Sequence, residues 1–164
     1  MPIVSNTSPL LNLAIIGHIS LLQQQFGEIW IPQAVAQELR AEEDLPGSQA
    51  VREAMAAGWL HVEEAQDCAL VKSLQRGLDR GEAEAITLAL QVKAERVLLD
   101  ERDGRRIAKS LGLNVTGVLG ILLRAKREGH LSSLQDTIAQ LGNKAGFRIG
   151  AELLTDILRS GGEA

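Results

Sequence analysis

Short apolar runs alternate with longer stretches of helical periodicity along this chain. Pro2–Val4 is a compact apolar run that stops at Ser5-Asn6-Thr7-Ser8. A helical pattern follows over Pro9–Ile16, with Ser8 placed as N-cap, Pro9 at the first helical position and Gly17 as stop. A second helical stretch covers Ile19–Phe26. EIWI (Glu28–Ile31) reads as a strand halted by Pro32, and PQAVAQELRA opens a helix. SQAVREAMAAG predicts a helix capped by Ser48 and ended by Gly58, and WLHVEE alternates as a strand does.

The rhythm repeats in the second half. Gln66–Leu78 is helical, and DRGEAEAITLALQVKA forms a helix whose first turn is acidic, as the helix dipole favours. Val97–Leu99 is a strand ending in acids, DGRRIAKSLG a helix closed by Gly112, and LNVTG a strand. VLGILLRAKREG is an amphipathic helix, followed by helices near Leu131–Leu141 and Gly150–Leu158. Strands that alternate with helices predict an α/β fold of three layers, a mostly parallel sheet of about five strands between helices. Neither a composition shift nor an internal repeat divides the chain. Residues 1–160 are therefore expected to be one domain, with 161–164 as a flexible tail.

Composition narrows the chemistry. The 164 residues are 45% hydrophobic but only 2% aromatic, so Leu, Ile, Val and Ala must build the core. Base stacking is not expected as the main mode of nucleic-acid recognition. A formal net charge of −4 does not point to a bulk electrostatic nucleic-acid binder, though it does not exclude one, because a local basic patch can coexist with an acidic pocket. The one cysteine, Cys68, excludes an internal disulfide and a cysteine-based zinc cluster. With no basic n-region and no apolar run near 20 residues, the expectation is a cytoplasmic protein without a membrane partner. The glycines form no phosphate-binding loop, the three histidines are isolated, and Cys68 has no neighbouring base.

The acids are the informative residues. Helices that follow parallel strands begin at the edge where those strands end. Asn6, Glu82 or Glu84, and Asp100 or Glu101 therefore converge on one sheet edge, joined by Glu38 if its helix crosses the same edge. Glu82 and Glu84 lie about 200° apart on a helix and cannot both face one pocket. Gathered carboxylates repel each other unless a pKa rises or a cation intervenes. Hard oxygen donors suit Mg²⁺ or Mn²⁺. Such ions can hold a phosphodiester and activate water. Asn6 fits equally a turn residue, which brings no chemistry. Arg102, Arg105, Arg106 and Lys109 form a basic cluster beside the acids, and Arg124, Lys126 and Arg127 form another. Each reads as a phosphate-tracking groove or as a solvated helix face.

The ordered set VSNTSPLLNLA, IPQAVAQEL, LDRGEAEAITLAL, VLLDERDGRRIAKSLGL, NVTGVLGILLRAKREG and AGFRI resembles the PIN-domain superfamily over nearly the whole chain. The likeness is to a bacterial and archaeal PIN-like subgroup. It implies a metal-dependent endoribonuclease of the VapC-like kind, a toxin of a toxin–antitoxin pair. RNA would be its substrate, and a small antitoxin protein and a homodimer its partners. On this resemblance the four acid positions fall on Asn6, on Glu38, on Glu84 (with Glu82 the neighbouring alternative), and on Asp100 or Glu101. Asp103 is a further candidate. These residues would be both catalytic and metal-ligating, with Thr7, Ser8, Arg102, Arg105 and Arg106 on the substrate. Asn6 departs from the family's acid: its amide oxygen can coordinate but carries no charge. At about 4 Å from a cation that loss forfeits roughly 1–4 kcal/mol per unit of cation charge. The alternative expectation is a weak or inactive PIN-like domain that binds RNA or protein.

Overall fold

The computed structural model describes residues 2–163. Five strands form one all-parallel sheet in the order β3-β2-β1-β4-β5, where β1 is Ile3–Ser5, β2 Ile29–Ile31, β3 Leu60–Val62, β4 Arg96–Leu98 and β5 Val115–Thr116. Ten helices connect and follow them among the described residues: α1 Thr7–Ile15, α2 Ser20–Phe26, α3 Gln33–Leu39, α4 Ser48–Ala56, α5 Cys68–Leu74, α6 Arg80–Gln91, α7 Arg102–Ser110, α8 Val118–Arg127, α9 Leu134–Ala145 and α10 Ala151–Ser160. The α/β sandwich expected from the alternating pattern is the observed one.

The alternation of side chains along each strand builds two cores. Ile3, Ile29, Ile31 and Leu98 face one layer, packed with Leu10, Leu13, Leu22, Val35, Ile121 and Leu122. Val4, Val97 and Leu99 face the other, against Ala85, Ile86, Leu88 and Ala89 of α6 and Ala108 of α7. Both faces of β1 and β4 are covered, which is why these strands read as unbroken apolar runs.

The sheet order places a topological switch between β1 and β4. From β1 the chain winds outward to β2 and β3, and β4 and β5 lie on the other side. The connections leaving β1 and β4 therefore diverge and open a crevice at the C-terminal strand ends.

Several boundaries move by one or two residues. α1 begins at Thr7, so Asn6 is its N-cap and Pro9 sits in the third position; Ser8 is inside the helix. Proline is tolerated there because the first helical N–H groups have no partner within the helix. Gly47, in the left-handed region at φ 87°, precedes α4, and the Ser48 hydroxyl instead accepts from Leu45 N at 3.2 Å. The helix expected over Gln66–Leu78 is confined to Cys68–Leu74.

The end of the chain, expected to be a flexible tail over 161–164, makes defined contacts as far as Glu163. Its carboxylate accepts from Leu134 N at 2.6 Å and Gln135 N at 3.1 Å and pairs with Lys126 at 3.0 Å. Those amides open α9, so Glu163 serves as its N-terminal anion. Ala164 lies outside the described residues.

Candidate active site

β1 ends by delivering Asn6 to the crevice. Its N–H donates to Leu98 O of β4 at 2.9 Å, which fixes it against the neighbouring strand. Asn6 is 4% exposed and occupies an N-cap position, yet its side chain makes no capping hydrogen bond, and its buried Oδ1 has no hydrogen-bond partner. An unpaired buried acceptor costs about 1–3 kcal/mol. A turn residue would have spent that oxygen on a helix N–H.

Three carboxylates stand around the same edge, each seated against a glycine. Glu38, on α3, accepts from Thr7 Oγ1 at 2.6 Å. A Cβ on Gly81 would fall 2.5 Å from Glu38 Oε1. Glu82, on α6, has its Oε2 only 2.6 Å from where a Gly104 Cβ would stand. Asp100, beyond β4, accepts from Ser8 Oγ at 2.8 Å and from Val118 N at 2.7 Å. A Gly117 Cβ would meet Asp100 Oδ1 and the Arg105 guanidinium, each at 2.8 Å. None of these glycines has a positive φ. What the positions require is space, and the occupant of that space is an acid each time.

Burial and crowding of like charge act on two of the acids. Burial pushes the Asp100 carboxyl up from its ordinary value, against the opposing pull of Val118 N–H, the Ser8 hydroxyl and Arg105. The Glu82 carboxyl is pushed up to about 7, first by burial, then by the adjacent Asp79 carboxyl, with a further push from Glu101. Asp79 is a residue the acid positions in the sequence had not singled out. It caps α6 by accepting from Glu82 N at 2.8 Å. The Asp-x-x-Glu spacing over 79–82 is the signal that points to it.

Glu84 is placed differently. Its Oε1 accepts from Ala34 N at 3.1 Å and its Oε2 from Arg80 Nε at 2.8 Å. It thereby satisfies an N–H in the first turn of α3, a helix whose N-cap is Pro32 and which has no side-chain cap of its own. Glu101 is exposed and is the N-cap of α7 without capping it by its side chain. Asp103 is exposed, 3.9 Å from Arg106.

The two basic clusters part company. Arg102, Arg105, Arg106 and Lys109 line one shallow cavity of about 470 Å³ together with Asp100. Arg105 also donates to Leu99 O at 2.9 Å, which holds its guanidinium beside the acid. On α8 the cations are engaged elsewhere. Arg124 pairs with Glu128 at 3.2 Å and lies over the Phe26 ring, Lys126 pairs with Glu163, and Arg127 reaches Ser160 O at 3.3 Å. That cluster is a helix surface, away from Asp100.

The donors Asn6, Glu38, Glu82 and Asp100 are all hard oxygens, the chemistry Mg²⁺ and Mn²⁺ select. Among the described residues, no three His, Cys, Asp or Glu side chains are gathered tightly enough to chelate one ion as they stand. The donor chemistry nevertheless fits such an ion: Asn6 leaves an oxygen unpaired, and Glu38 and Asp100 are tied to Thr7 and Ser8 beside it, with Glu82 seated against Gly104. The acids are held apart on separate elements around the crevice, as unscreened like charges require.

A doubly wound α/β domain with acids at its switch-point crevice carries them where such folds bind their ligands. The family model described as a PIN domain matches residues 2–163, and the chain belongs to that family. PIN domains are in general nucleases and generally use divalent metal ions. No curated protein and no solved structure matches the chain. Among the described residues no helix is long and apolar enough to cross a membrane.

Proposed function

We propose that the protein is a divalent-metal-dependent endoribonuclease whose acids are Glu38, Glu82 and Asp100, with Asn6 as a neutral oxygen donor. The observation that carries this reading is the seating of those three carboxylates against Gly81, Gly104 and Gly117, together with an Asn6 oxygen at the end of β1 that no protein group satisfies. Glu82 takes the third place in preference to Glu84, whose two oxygens serve α3 and Arg80. Asp100 takes the fourth in preference to Glu101, which is exposed.

A bound Mg²⁺ or Mn²⁺ supplies charge neutralisation and a water acidified for attack on phosphorus. The chain supplies the rest. Ser8 and Val118 N hold Asp100 in one orientation, and Thr7 holds Glu38. Arg102, Arg105, Arg106 and Lys109 track the phosphates that flank the scissile one. The Thr7 and Ser8 hydroxyls act through the acids they bind rather than on the substrate. A toxin role, with a small antitoxin protein and a homodimer as partners, extends this reading and rests on the family likeness alone.

The test is cleavage of an end-labelled structured RNA with Mn²⁺, with Mg²⁺ and with EDTA, using Glu38→Gln and Glu82→Gln proteins purified identically. Cutting should need the metal and fall by about a hundredfold or more in both variants, the scale expected when a developing charge loses one stabilising group. Cutting that persists in EDTA, or is indifferent to both substitutions, overturns the reading. RNA binding without cutting in any metal would make this a binding domain.

A further inference from the structure

We propose that the cavity between the start of α8 and the 147–153 segment is a nucleobase subsite, seating one base of an RNA strand beside the phosphodiester at Asp100; this rests on the ribonuclease reading above. The cavity measures about 570 Å³, within the range of small-molecule sites. Asp100 and Arg105 are among its lining residues, so it borders the acidic crevice at Asp100. Leu119, Phe147 and Leu153 furnish apolar walls, and Arg148 is among its lining cations.

This combination matches a nucleotide. A base needs flat apolar surface, best an aromatic face, and its phosphates need guanidinium groups. The chain has two Phe, two Trp and no Tyr. Phe26 lies beneath Arg124, Trp59 is buried in the core and Trp30 stacks on His61 at 4.9 Å. Phe147 is the aromatic residue that borders the cavity at Asp100. Leu153, which also lines the cavity, is 49% exposed and so accessible to a ligand, and α10 that carries it has no buried residue. An apolar wall of this kind beside a phosphodiester-binding crevice gives the enzyme a way to choose which base flanks the cut. The acids, which see only phosphate, cannot make that choice.

The experiment measures equilibrium binding in EDTA, so that it does not depend on turnover. The probe is a short single-stranded oligoribonucleotide, with a series carrying one abasic residue moved from position to position. Wild-type protein should lose about fivefold or more in affinity when the abasic residue falls at one position, the scale of one base stacked on a ring. Phe147→Leu keeps the apolar bulk without the ring, and Leu153→Asp places a charge on the exposed wall. Leu153→Asp should melt like wild type and Phe147→Leu slightly lower, because Phe147 also packs against the core, and both should lose the penalty at that position only. A penalty spread evenly along the strand, or unchanged in both variants, overturns the subsite while the ribonuclease reading stands if the RNA is still cut with metal. Failure of every protein to bind or cut RNA overturns both. Variants that alter self-association in light scattering, without altering the abasic pattern, overturn the subsite in favour of a protein occupant.

Discussion

Glu82 shows most directly what the crevice costs the metal-free protein. Its carboxyl is raised from an ordinary 4.5 to about 7 by burial and by the neighbouring acids. The folded state therefore binds the Glu82 proton more tightly than the unfolded chain does. Below about pH 4.5 both states are protonated and the group is neutral to stability. As pH rises toward 7 the unfolded chain gains by ionising first, so stability falls, and above about 7 the loss is complete. Glu82→Gln removes the titrating group. In EDTA, the stability advantage of Glu82→Gln over wild type should grow between about pH 4.5 and 7 and then level off. Denaturant melts across that range check it. Parallel profiles for the two proteins would show that Glu82 is not the strained acid. Mn²⁺ should shrink the advantage by stabilising the ionised wild-type side chain.

At the scale of elements, the two glutamates of GEAEA divide their labour. Their 200° separation already implied that only one could face the crevice. The side on which each fell depended on packing that no single segment contains. α6 is flanked by α3 on one side and α7 on the other, so Glu84 meets the unsatisfied first turn of α3 and Glu82 meets Gly104. The strand and helix pattern was legible because apolar periodicity is local. So was the shared edge of the acids, since a parallel sheet dictates it. The glycine seats were not legible, because Gly81, Gly104 and Gly117 each serve an acid on a distant element. Nor was the start of α1, where Asn6 takes the N-cap geometry but keeps its side chain free. Positioning and ligation predict opposite outcomes at Glu84. Glu84→Gln can still accept from Ala34 N and should keep both the melt and cleavage near wild type. Glu84→Ala should lose about 1–3 kcal/mol, the cost of a stranded buried donor. Loss of cleavage in Glu84→Gln with an unchanged melt would instead make Glu84 a ligand.

For the whole molecule, 21 acidic residues outnumber 17 basic ones, so its net field repels a polyanion. RNA must be met locally, and the structure provides one face where that can happen. The α7 cations share a cavity with Asp100, whereas the α8 cations are spent on Glu128, Glu163 and Ser160. Two patches that look alike as charge runs thus differ in what they can release when RNA binds. Arg124 and Lys126 are already paired with acids and displace few counterions from a phosphate, and Arg127 is held at a carbonyl, whereas Arg106 is paired only loosely, 3.9 Å from the exposed Asp103. Arg102 and Arg106 are exposed and leave the Arg105 contact to Leu99 intact, so their replacement should not disturb the fold. In EDTA, Arg102→Gln with Arg106→Gln should flatten the slope of log affinity against log salt by about 1.4. That corresponds to two single-strand phosphate contacts at roughly 0.7 each. Arg124→Gln with Arg127→Gln should leave the slope unchanged. Fluorescence anisotropy of a labelled single-stranded RNA over a salt series separates the two. If the α8 pair flattens the slope and the α7 pair does not, the strand crosses the opposite side of β5 and the phosphate path drawn along α7 is wrong.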